Sequence, residues 1–281
     1  MVQNILSISR IESQLSFSEI GKRTNNEDSI YPKQGEVNTS ARLFLVCDGM
    51  GGTEGGETAS HLTCEIISQY FSQNVKLDSD ISLIEQHINN AIEQVEAQLN
   101  AIVIEKPNLN KMGTTLALLY VHNQGVTIAH IGDSRVYHIQ ESNFWHTEDH
   151  SFVYELYKIG AIEKFEMATH TKKNIITRVL QSDVEKVKPD IKHLSNIKNS
   201  DYFLLMSDGV LEAFTEDELL SLVGDKTLSD SEKLDRIKKQ CNELSRDNHS
   251  LIMIHMQNVL MPKQSKKRSL LKMLSDFLLN R

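Results

Sequence analysis

Residues 43–56 read LFLVCDGMGGTEGG, a short apolar run followed by an aspartate and a glycine-rich loop. An uninterrupted apolar run of this length is typical of a buried strand. The same order recurs at 202–209, YFLLMSDG, and a third apolar run, LIMIHM at 251–256, begins shortly after an aspartate-asparagine pair. The sequence therefore predicts three strands that each have an aspartate close to one end. These aspartates are Asp48, Asp208 and Asp247.

The segments around these runs alternate between strand and helix patterns. Residues 115–130 contain two apolar runs joined by a turn with Gly125, which predicts a hairpin. Residues 81–102 repeat apolar side chains at steps of three and four, which predicts an amphipathic helix. Thr215 and Ser229 each begin a capping-box pattern at a helix start. The combination predicts an α+β fold in which helices cover antiparallel sheets.

The three aspartates predict a cation site. In an antiparallel sheet the end of one strand lies beside the start of its neighbour, so we expect Asp48, Asp208 and Asp247 at one rim of one sheet. Clustered carboxylates repel each other unless hard cations bind them, and oxygen ligands suit Mg²⁺ or Mn²⁺. Gly49 lacks a Cβ, so its carbonyl can turn toward an ion at little steric cost. Asp-Gly is also a common turn pair, and the turn and ligand interpretations are compatible.

The glycine-rich loop at 49–56 resembles a nucleotide-binding loop in its position after a strand. It has no Gly-Lys-Ser/Thr ending, which excludes a P-loop. Glu54 stands where a dinucleotide-binding pattern requires glycine or alanine. We therefore expect a close-packed loop that leads into a helix after Glu57.

An upstream segment, GKRTNNED at 21–28, carries further candidate site residues. The guanidinium of Arg23 could hold a phosphate through two hydrogen bonds. Glu27 and Asp28 could hold water molecules bound to a cation. A segment of this composition is also common as a solvated polar loop.

Taken together, these segments resemble the metal-dependent PPM phosphatases, the protein phosphatase 2C family, in its bacterial form. Eight motifs occur in the family's order between residues 17 and 256. They lie at 21–28, 44–52, 112–115, 132–135, 148–151, 174–178, 207–209 and 246–248.

The resemblance implies a β-sandwich of two antiparallel sheets flanked by helices, and hydrolysis of phosphoserine and phosphothreonine in phosphoproteins. It implies that Asp48 bridges two Mn²⁺ or Mg²⁺ ions. Gly49 would give one ion a carbonyl ligand, and Asp208 and Asp247 would bind the other. Asp133 matches a residue that helps Asp208 to bind a third ion in bacterial members.

The resemblance also assigns the substrate side of the site. Arg23 would bind the substrate phosphate, and Asp28 would hold a water on the first ion, with Glu27 and Asn248 beside it. A hydroxide that bridges the two ions would attack phosphorus directly, so no phosphoenzyme is required. The reaction further implies a cognate serine/threonine kinase, which the chain does not encode.

The chain departs from the family pattern in three places. Met50 replaces a histidine of eukaryotic members, so the acid that protonates the leaving group is open, with His150 and His170 as candidates. Thr53 stands where bacterial relatives often have histidine, and His170-Thr171 stands where the family usually has His-Pro. Residues 151–173 correspond to a mobile flap over the site.

Charge and domain boundaries complete the sequence-based expectations. The net charge is −8, which argues against nucleic acid as a partner. We divide the chain into an N-terminal extension at 1–16, a phosphatase domain at 17–256 and a basic amphipathic tail at 257–281. The tail has six basic residues and one acidic residue, and its apolar positions follow the basic run. It fits docking on a protein or an anionic membrane surface, and equally a last helix packed on its own domain.

Three widely spaced cysteines predict reduced thiols and a cytoplasmic setting. We recognise no signal peptide and no apolar stretch long enough to span a bilayer. Two other classes of function remain open. One is a catalytically weak, metal-binding regulator that docks on phosphoproteins, and the other is an interaction protein that acts through the tail.

Overall fold

The computed structural model describes residues 10–35, 41–141, 143–182 and 186–257. Within these residues, six α-helices and twelve strands form four layers, with two sheets face to face and helices on both outer sides. The helices are α1 Thr53–Asn74, α2 Ile81–Glu105, α3 Phe152–Lys158, α4 Asp208–Ala213, α5 Glu216–Gly224 and α6 Asp230–Leu244. The strands are β1 Arg10–Glu19, β2 Asp28–Tyr31, β3 Leu43–Met50, β4 Gly113–Thr114, β5 Leu116–His122, β6 Gly125–Ile131, β7 Arg135–Gln140, β8 Asn143–His146, β9 Leu180–Gln181, β10 Asp190–Leu194, β11 Tyr202–Met206 and β12 His249–Gln257.

The two sheets are antiparallel throughout. The smaller sheet has the order β1-β12-β11-β7-β8, and the larger has the order β10-β6-β5-β3-β4-β9, with β2 also paired to β3. Helices α1 and α2 cover the larger sheet, and α4, α5 and α6 cover the smaller one. The predicted sandwich of two antiparallel sheets flanked by helices is confirmed.

The uninterrupted apolar runs follow from burial on both faces of each sheet. In β3, Phe44 and Val46 pack in the core between the sheets, whereas Leu45 packs under α1 and α2. In β11, Phe203 and Leu204 divide in the same way between the intersheet core and the α4–α6 layer. Because successive side chains point to opposite faces, a strand covered on both sides must be apolar at every position.

Both predicted capping boxes are present. The Thr215 hydroxyl accepts a hydrogen bond from the Glu218 amide at 3.3 Å, and the Glu218 carboxylate accepts one from the Thr215 amide at 2.9 Å. Ser229 and Glu232 repeat this exchange at the start of α6. These contacts satisfy amide groups that have no partner inside the helix.

The glycine-rich loop is shorter than we expected. Helix α1 begins at Thr53 rather than after Glu57, so Gly55 and Gly56 belong to its first turn. The reason is close packing, because a Cβ on Gly49 would lie 2.1 Å from the carbonyl oxygen of Gly56. The helix start can approach β3 this closely only with glycine at both positions.

Two expectations about boundaries and layout are corrected. Asp48 lies in β3 of the larger sheet, whereas Asp208 and Asp247 border β11 and β12 of the smaller sheet, so the three do not share the rim of one sheet. Residues 10–16, assigned to an N-terminal extension, form part of β1, which pairs with β12. The predicted tail lies outside the described residues, apart from its first residue at the end of β12. No helix among the described residues is long and apolar enough to cross a membrane.

Candidate functional site

The backbone around Asp48 is held by the motif at 112–115. The Asp48 amide donates to the Thr115 hydroxyl oxygen at 2.9 Å, and the Asp48 carbonyl accepts from the Thr115 amide and the Thr114 hydroxyl, both at 2.9 Å. Asp48 also lies opposite Asp28 in the β2–β3 pairing. Two carboxylates are therefore fixed side by side at the end of the larger sheet.

Ser207 joins this pair to the smaller sheet. Its hydroxyl donates to Oδ2 of Asp28 at 2.7 Å and accepts from the Ser250 amide at 3.0 Å. The next residue, Asp208, is the first residue of α4. Asp28 and Asp48 of one sheet thus meet Asp208 of the other at the same end of the sandwich.

Several carboxylate oxygens at this end lack hydrogen-bond partners among the described residues. The Oδ1 atoms of Asp28, Asp133 and Asp208 are buried and have no partner among the described residues. Burial, together with repulsion from neighbouring aspartates, raises the pKa of Asp28 and of Asp133 to about 7 and that of Asp208 to about 6. The same causes raise the pKa of Asp48 well above its ordinary value.

This carboxylate set fits hard divalent cations. Buried oxygens that lack donors are costly unless a positive charge compensates them. Their donor chemistry, carboxylate oxygens with a neighbouring backbone carbonyl at Gly49, is the type that Mg²⁺ and Mn²⁺ prefer. The sequence-predicted ligands Asp48, Asp208 and Asp133 therefore come together, although they derive from both sheets.

Arg23 and Asp247 form the exposed edge of the site. Nη2 of Arg23 lies 2.5 Å from Oδ2 of Asp247, and 58% of the Arg23 side chain is exposed. Asn248 holds the loop that carries Arg23, since its Nδ2 donates to the carbonyls of Ile20 and Asn25, both at 2.8 Å. The Arg23 loop is thus anchored directly beside Asp247.

Glu27 lies between this loop and β3. Its amide donates to Oδ1 of Asn248 at 2.9 Å, and its carbonyl accepts from the Gly49 amide at 3.1 Å. Burial raises the pKa of the Glu27 carboxyl. Glu27 therefore connects the residue next to Asp48 with the residue next to Asp247.

The motifs at 132–135 and 148–151 hold the loop that carries Asp133. The Arg135 guanidinium donates to both carboxylate oxygens of Asp149, at 2.6 and 2.7 Å. The Gly132 amide donates to Nδ1 of His150 at 3.0 Å, and Nε2 of His150 donates to Asp190 at 3.2 Å. The motifs at 132–135 and 148–151 therefore position each other.

These contacts bear on the two histidines considered as general acids. Burial lowers the pKa of His150 to about 4, so the ring is neutral near pH 7, and both of its nitrogens are already hydrogen-bonded. His170 lies just after a 3-10 turn at Lys164–Thr169, and its Nδ1 accepts from the Lys172 amide at 3.1 Å. The contacts favour an ordering role for His150, and the general-acid assignment stays a prediction for both residues.

The predicted flap lies beside the carboxylates. A cavity of about 330 Å³ separates Asp133 and Asp208 from Lys164, Met167 and Lys173 of the flap. Asp133 and Asp208, which line it, each have one carboxylate oxygen without a partner among the described residues. The segment at 151–173 therefore borders the site, as the sequence led us to expect.

A second group of potential ligands is less suitable for a metal ion. One ligand atom from each of His130, His150 and Asp190 lies within 4.8 Å of the others. The two imidazole rings are stacked, with centroids 4.5 Å apart and planes 18° from parallel. Ring nitrogen lone pairs lie in the ring planes, so stacked rings cannot direct both at one ion.

Comparison with known proteins identifies the family of this chain. A family profile described as protein phosphatase 2C matches residues 18–245. The chain belongs to the protein phosphatase 2C family. A serine/threonine phosphatase, stp, of Listeria monocytogenes serovar 1/2a is 31% identical over 214 residues, which cover 75% of this chain and 83% of the relative.

Solved structures of phosphatase 2C relatives show the same fold. Serine/threonine phosphatase Stp1 from Staphylococcus aureus has a TM-score of 0.77 and 30% identity, covering 92% of this chain and 99% of that one. The catalytic domain of the phosphatase PstP, in complex with two manganese ions, has a TM-score of 0.73 and 25% identity, covering 88% of this chain and 98% of that one. This member of the phosphatase 2C family is accordingly a protein serine/threonine phosphatase of the metal-dependent PPM type, and its substrates are phosphoproteins.

Proposed function

We propose that the chain hydrolyses phosphoserine and phosphothreonine by direct attack of water on phosphorus at the carboxylate end of the sandwich. The observation that carries this proposal is the set of buried, unpartnered oxygens on Asp28, Asp133 and Asp208. A structural cluster would have its oxygens satisfied, whereas a cation site must leave oxygens available.

The proposed ligands are Asp48, the carbonyl of Gly49, Asp208 and Asp247, with Asp133 for a third ion. Two Mn²⁺ or Mg²⁺ ions held there would lower the pKa of water and offset the charge of the phosphoryl oxygens. The PstP catalytic domain in complex with two manganese ions supports two ions in this site. The third ion is supported by the unpartnered Oδ1 of Asp133.

Arg23 is the proposed phosphate-binding residue. Its guanidinium has five N–H donors, and the contact to Asp247 occupies one nitrogen. The exposure of the side chain leaves the others accessible to a phosphate from solvent. Asn248 and Glu27 keep this group in place relative to β3, so the substrate phosphate and the carboxylates stay in register.

A metal-removal experiment tests this function. Protein stripped with a chelator should lose turnover of p-nitrophenyl phosphate and of a phosphothreonine peptide, and Mn²⁺ should restore both. Calorimetry should show Mn²⁺ binding in the same preparation. If Mn²⁺ binds but neither substrate is cleaved across several metals, the chain is a metal-binding regulator rather than a phosphatase of this mechanism.

We further propose that the enzyme opposes a serine/threonine kinase in the cytoplasm. Removal of phosphate from serine and threonine requires an enzyme that adds it. Three free, buried cysteine thiols support a reducing compartment. The net charge of −8 supports proteins rather than nucleic acids as partners.

The tail at 257–281 is proposed as a docking segment for a protein or an anionic membrane surface. Its basic run supports electrostatic docking, which weakens with salt. Deletion of 262–281 should leave turnover of p-nitrophenyl phosphate unchanged and impair action on the native phosphoprotein. A truncated protein with a much lower melting temperature, and no selective loss on the native substrate, would instead indicate a segment that stabilises the domain.

A further inference from the structure

The cavity between the flap and the carboxylates is also the space beside any phosphorylated residue held at the site. Asp133 and Asp208 line it on one side, and Lys164, Met167 and Lys173 of the flap line it on the other. Its volume, about 330 Å³, is at the low end of the range for ligand pockets, roughly 300–1,000 Å³. This size fits a side chain of the substrate protein better than a separate small molecule.

The acidic side chains in the wall of this cavity are already engaged. Asp149 accepts hydrogen bonds from the Arg135 guanidinium at 2.6 and 2.7 Å. Glu216 accepts one from Nζ of Lys164 at 3.3 Å, and Glu212 accepts one from a backbone amide at 2.9 Å. The remaining acidic residues of the wall are proposed cation ligands, so their charge is committed to the metal ions.

Lys173 is the basic side chain of the wall that has no counter-charge among the described residues. Its Nζ forms no hydrogen bond or ion pair with any residue in the described parts of the chain, and the residue is exposed. The two other basic groups differ, since Arg135 is paired with Asp149 and Lys164 with Glu216. The Lys173 ammonium is therefore accessible to a charged group that enters the cavity.

Apolar side chains form another part of the same wall. Val153, Met167, Leu211 and Phe214 line the cavity together with Lys173. A side chain that lies in the cavity and ends at Lys173 contacts apolar surface along its stem and a positive charge at its tip. Glutamate has this form, because two methylene groups precede its carboxylate, whereas aspartate has one.

We propose that Lys173 makes the enzyme prefer phosphoproteins with a glutamate close to the phosphorylated serine or threonine. The glutamate carboxylate would pair with Nζ of Lys173, and its methylene groups would lie against Met167 and Phe214. The cavity borders Asp133 and Asp208 directly, and neighbouring residues of an extended peptide are roughly 3.3–3.6 Å apart, so the glutamate would stand within about two residues of the phosphorylated one. This inference rests on the proposed function, because it requires the phosphoryl group to be held at the carboxylates.

Steady-state kinetics with a matched set of peptides tests the proposal on the full chain in Mn²⁺. The set is one phosphothreonine peptide with neutral flanks, in which glutamate or glutamine stands at one of the two positions before or the two positions after the phosphothreonine. At one or more of these positions, glutamate should lower KM about threefold relative to glutamine, the size expected for an exposed ion pair. The kcat values should be the same, because the contact is remote from the reacting phosphorus and is made equally in the ground state and the transition state.

Two substitutions of Lys173 assign the preference to this side chain. Lys173→Met should raise KM for the glutamate peptide to that for the glutamine peptide. Lys173→Glu should reverse the preference, so that a peptide with lysine at the same position has a lower KM than the glutamate peptide. Lys172→Met is the matched control, because Nζ of Lys172 lies 5.0 Å from the centre of the Phe152 ring and the residue does not line the cavity. It should keep the wild-type difference between the two peptides.

The results that would overturn this proposal differ from those that would refute the phosphatase function. A wild type that cleaves neither p-nitrophenyl phosphate nor the peptides would refute the function, and the preference with it. A wild type that cleaves both, with equal KM for glutamate and glutamine at all four positions, would overturn the preference alone. An equal rise in KM for both peptides in Lys173→Met would mean that Lys173 contacts the phosphate instead, and would also overturn it.

Discussion

The carboxylates at the two ends of β11 have pKa values that are shifted in opposite directions. Asp208, just beyond one end, has a buried oxygen with no partner in the described part of the chain, and burial and the nearby Asp247 raise its pKa to about 6. Asp230, packed at the other end, is also partly desolvated, which raises the pKa, but hydrogen bonds from Ser13, Tyr202 and His255 outweigh this and lower it. One carboxylate keeps a buried oxygen without a partner among the described residues, and the other is held by three hydrogen bonds.

We expect this difference to separate the residues of the proposed catalytic site from residues that stabilise the fold. Buried carboxylate oxygens without hydrogen-bond donors destabilise the metal-free fold, and a bound cation offsets this unfavourable free energy. A carboxylate with three donors and a nearby ammonium lowers the free energy of the folded chain. The same substitution at the two ends should therefore have opposite consequences.

The largest effect is expected at the site end. Asp48→Asn should lower turnover of p-nitrophenyl phosphate in Mn²⁺ by about 10³-fold, because it removes a charge that we assign to both cations. It should also raise the melting temperature measured in chelator, since the substitution relieves repulsion from Asp28 and Asp208. Near wild-type turnover in this variant would show that the cation assignment is wrong.

The matched substitution at the other end is Asp230→Asn. It should cost roughly 3 kcal/mol of unfolding free energy, because it leaves three donors with a poorer acceptor and Lys233 without its nearest counter-charge. Specific activity of the folded protein should be retained. Urea unfolding followed by circular dichroism measures the first quantity, and turnover at saturating Mn²⁺ measures the second.

The comparison would fail if the two variants behaved alike. An Asp230→Asn protein as stable as the wild type would mean that the hydrogen bonds around Asp230 contribute little to the free energy of unfolding. A Asp48→Asn protein that unfolds in chelator would mean that the site end is structural as well. Aspartate and asparagine have nearly the same shape, so either outcome would reflect the lost charge and hydrogen bonds rather than a change in packing.

A smaller effect is expected at the exposed edge of the site. Arg23→Ala should raise KM for a phosphothreonine peptide about tenfold, which corresponds to roughly 1.4 kcal/mol, a modest value because the group is largely solvated. Mn²⁺ affinity should change little. Arg23→Lys is the control that keeps the charge but loses the planar donor pair, so its KM should lie between those of the wild type and Arg23→Ala. Unchanged kinetics in both variants would exclude the phosphate role.

Residues at the site end were accessible to sequence reasoning to different degrees. Asp48, Asp208 and Asp247 stood out because each lies next to an apolar run, and apolar runs mark buried strands. Ser207 and Thr115 did not, although each makes a hydrogen bond that holds the site. A serine or threonine hydroxyl has no distinctive pattern in a sequence, so only its partner in space reveals its role. The single available signal was that both belong to quoted motifs.

The sequence did not predict the hydrogen-bonded cluster around Asp230, at the other end of β11. Ser13, Tyr202, Asp230 and His255 come from three strands and one helix that are distant along the chain. Tyr202 and His255 were counted only within or beside apolar runs. Their polar atoms meet because β1, β11 and β12 are neighbours in one sheet and the start of α6 lies over them.

The sequence by itself predicted the type of the strongly patterned elements, among them α2, the hairpin of β5 and β6 and strand β11, because periods of two and 3.6 residues and capping residues act locally. It also determined the kinds of side chain available to hold cations. Only the tertiary structure decided that Asp48 reaches Asp208 from the opposite sheet, and that helix α1 starts close enough to β3 to require Gly49 and Gly56. Which strands face each other depends on packing between segments far apart in the chain, and no local pattern records that choice.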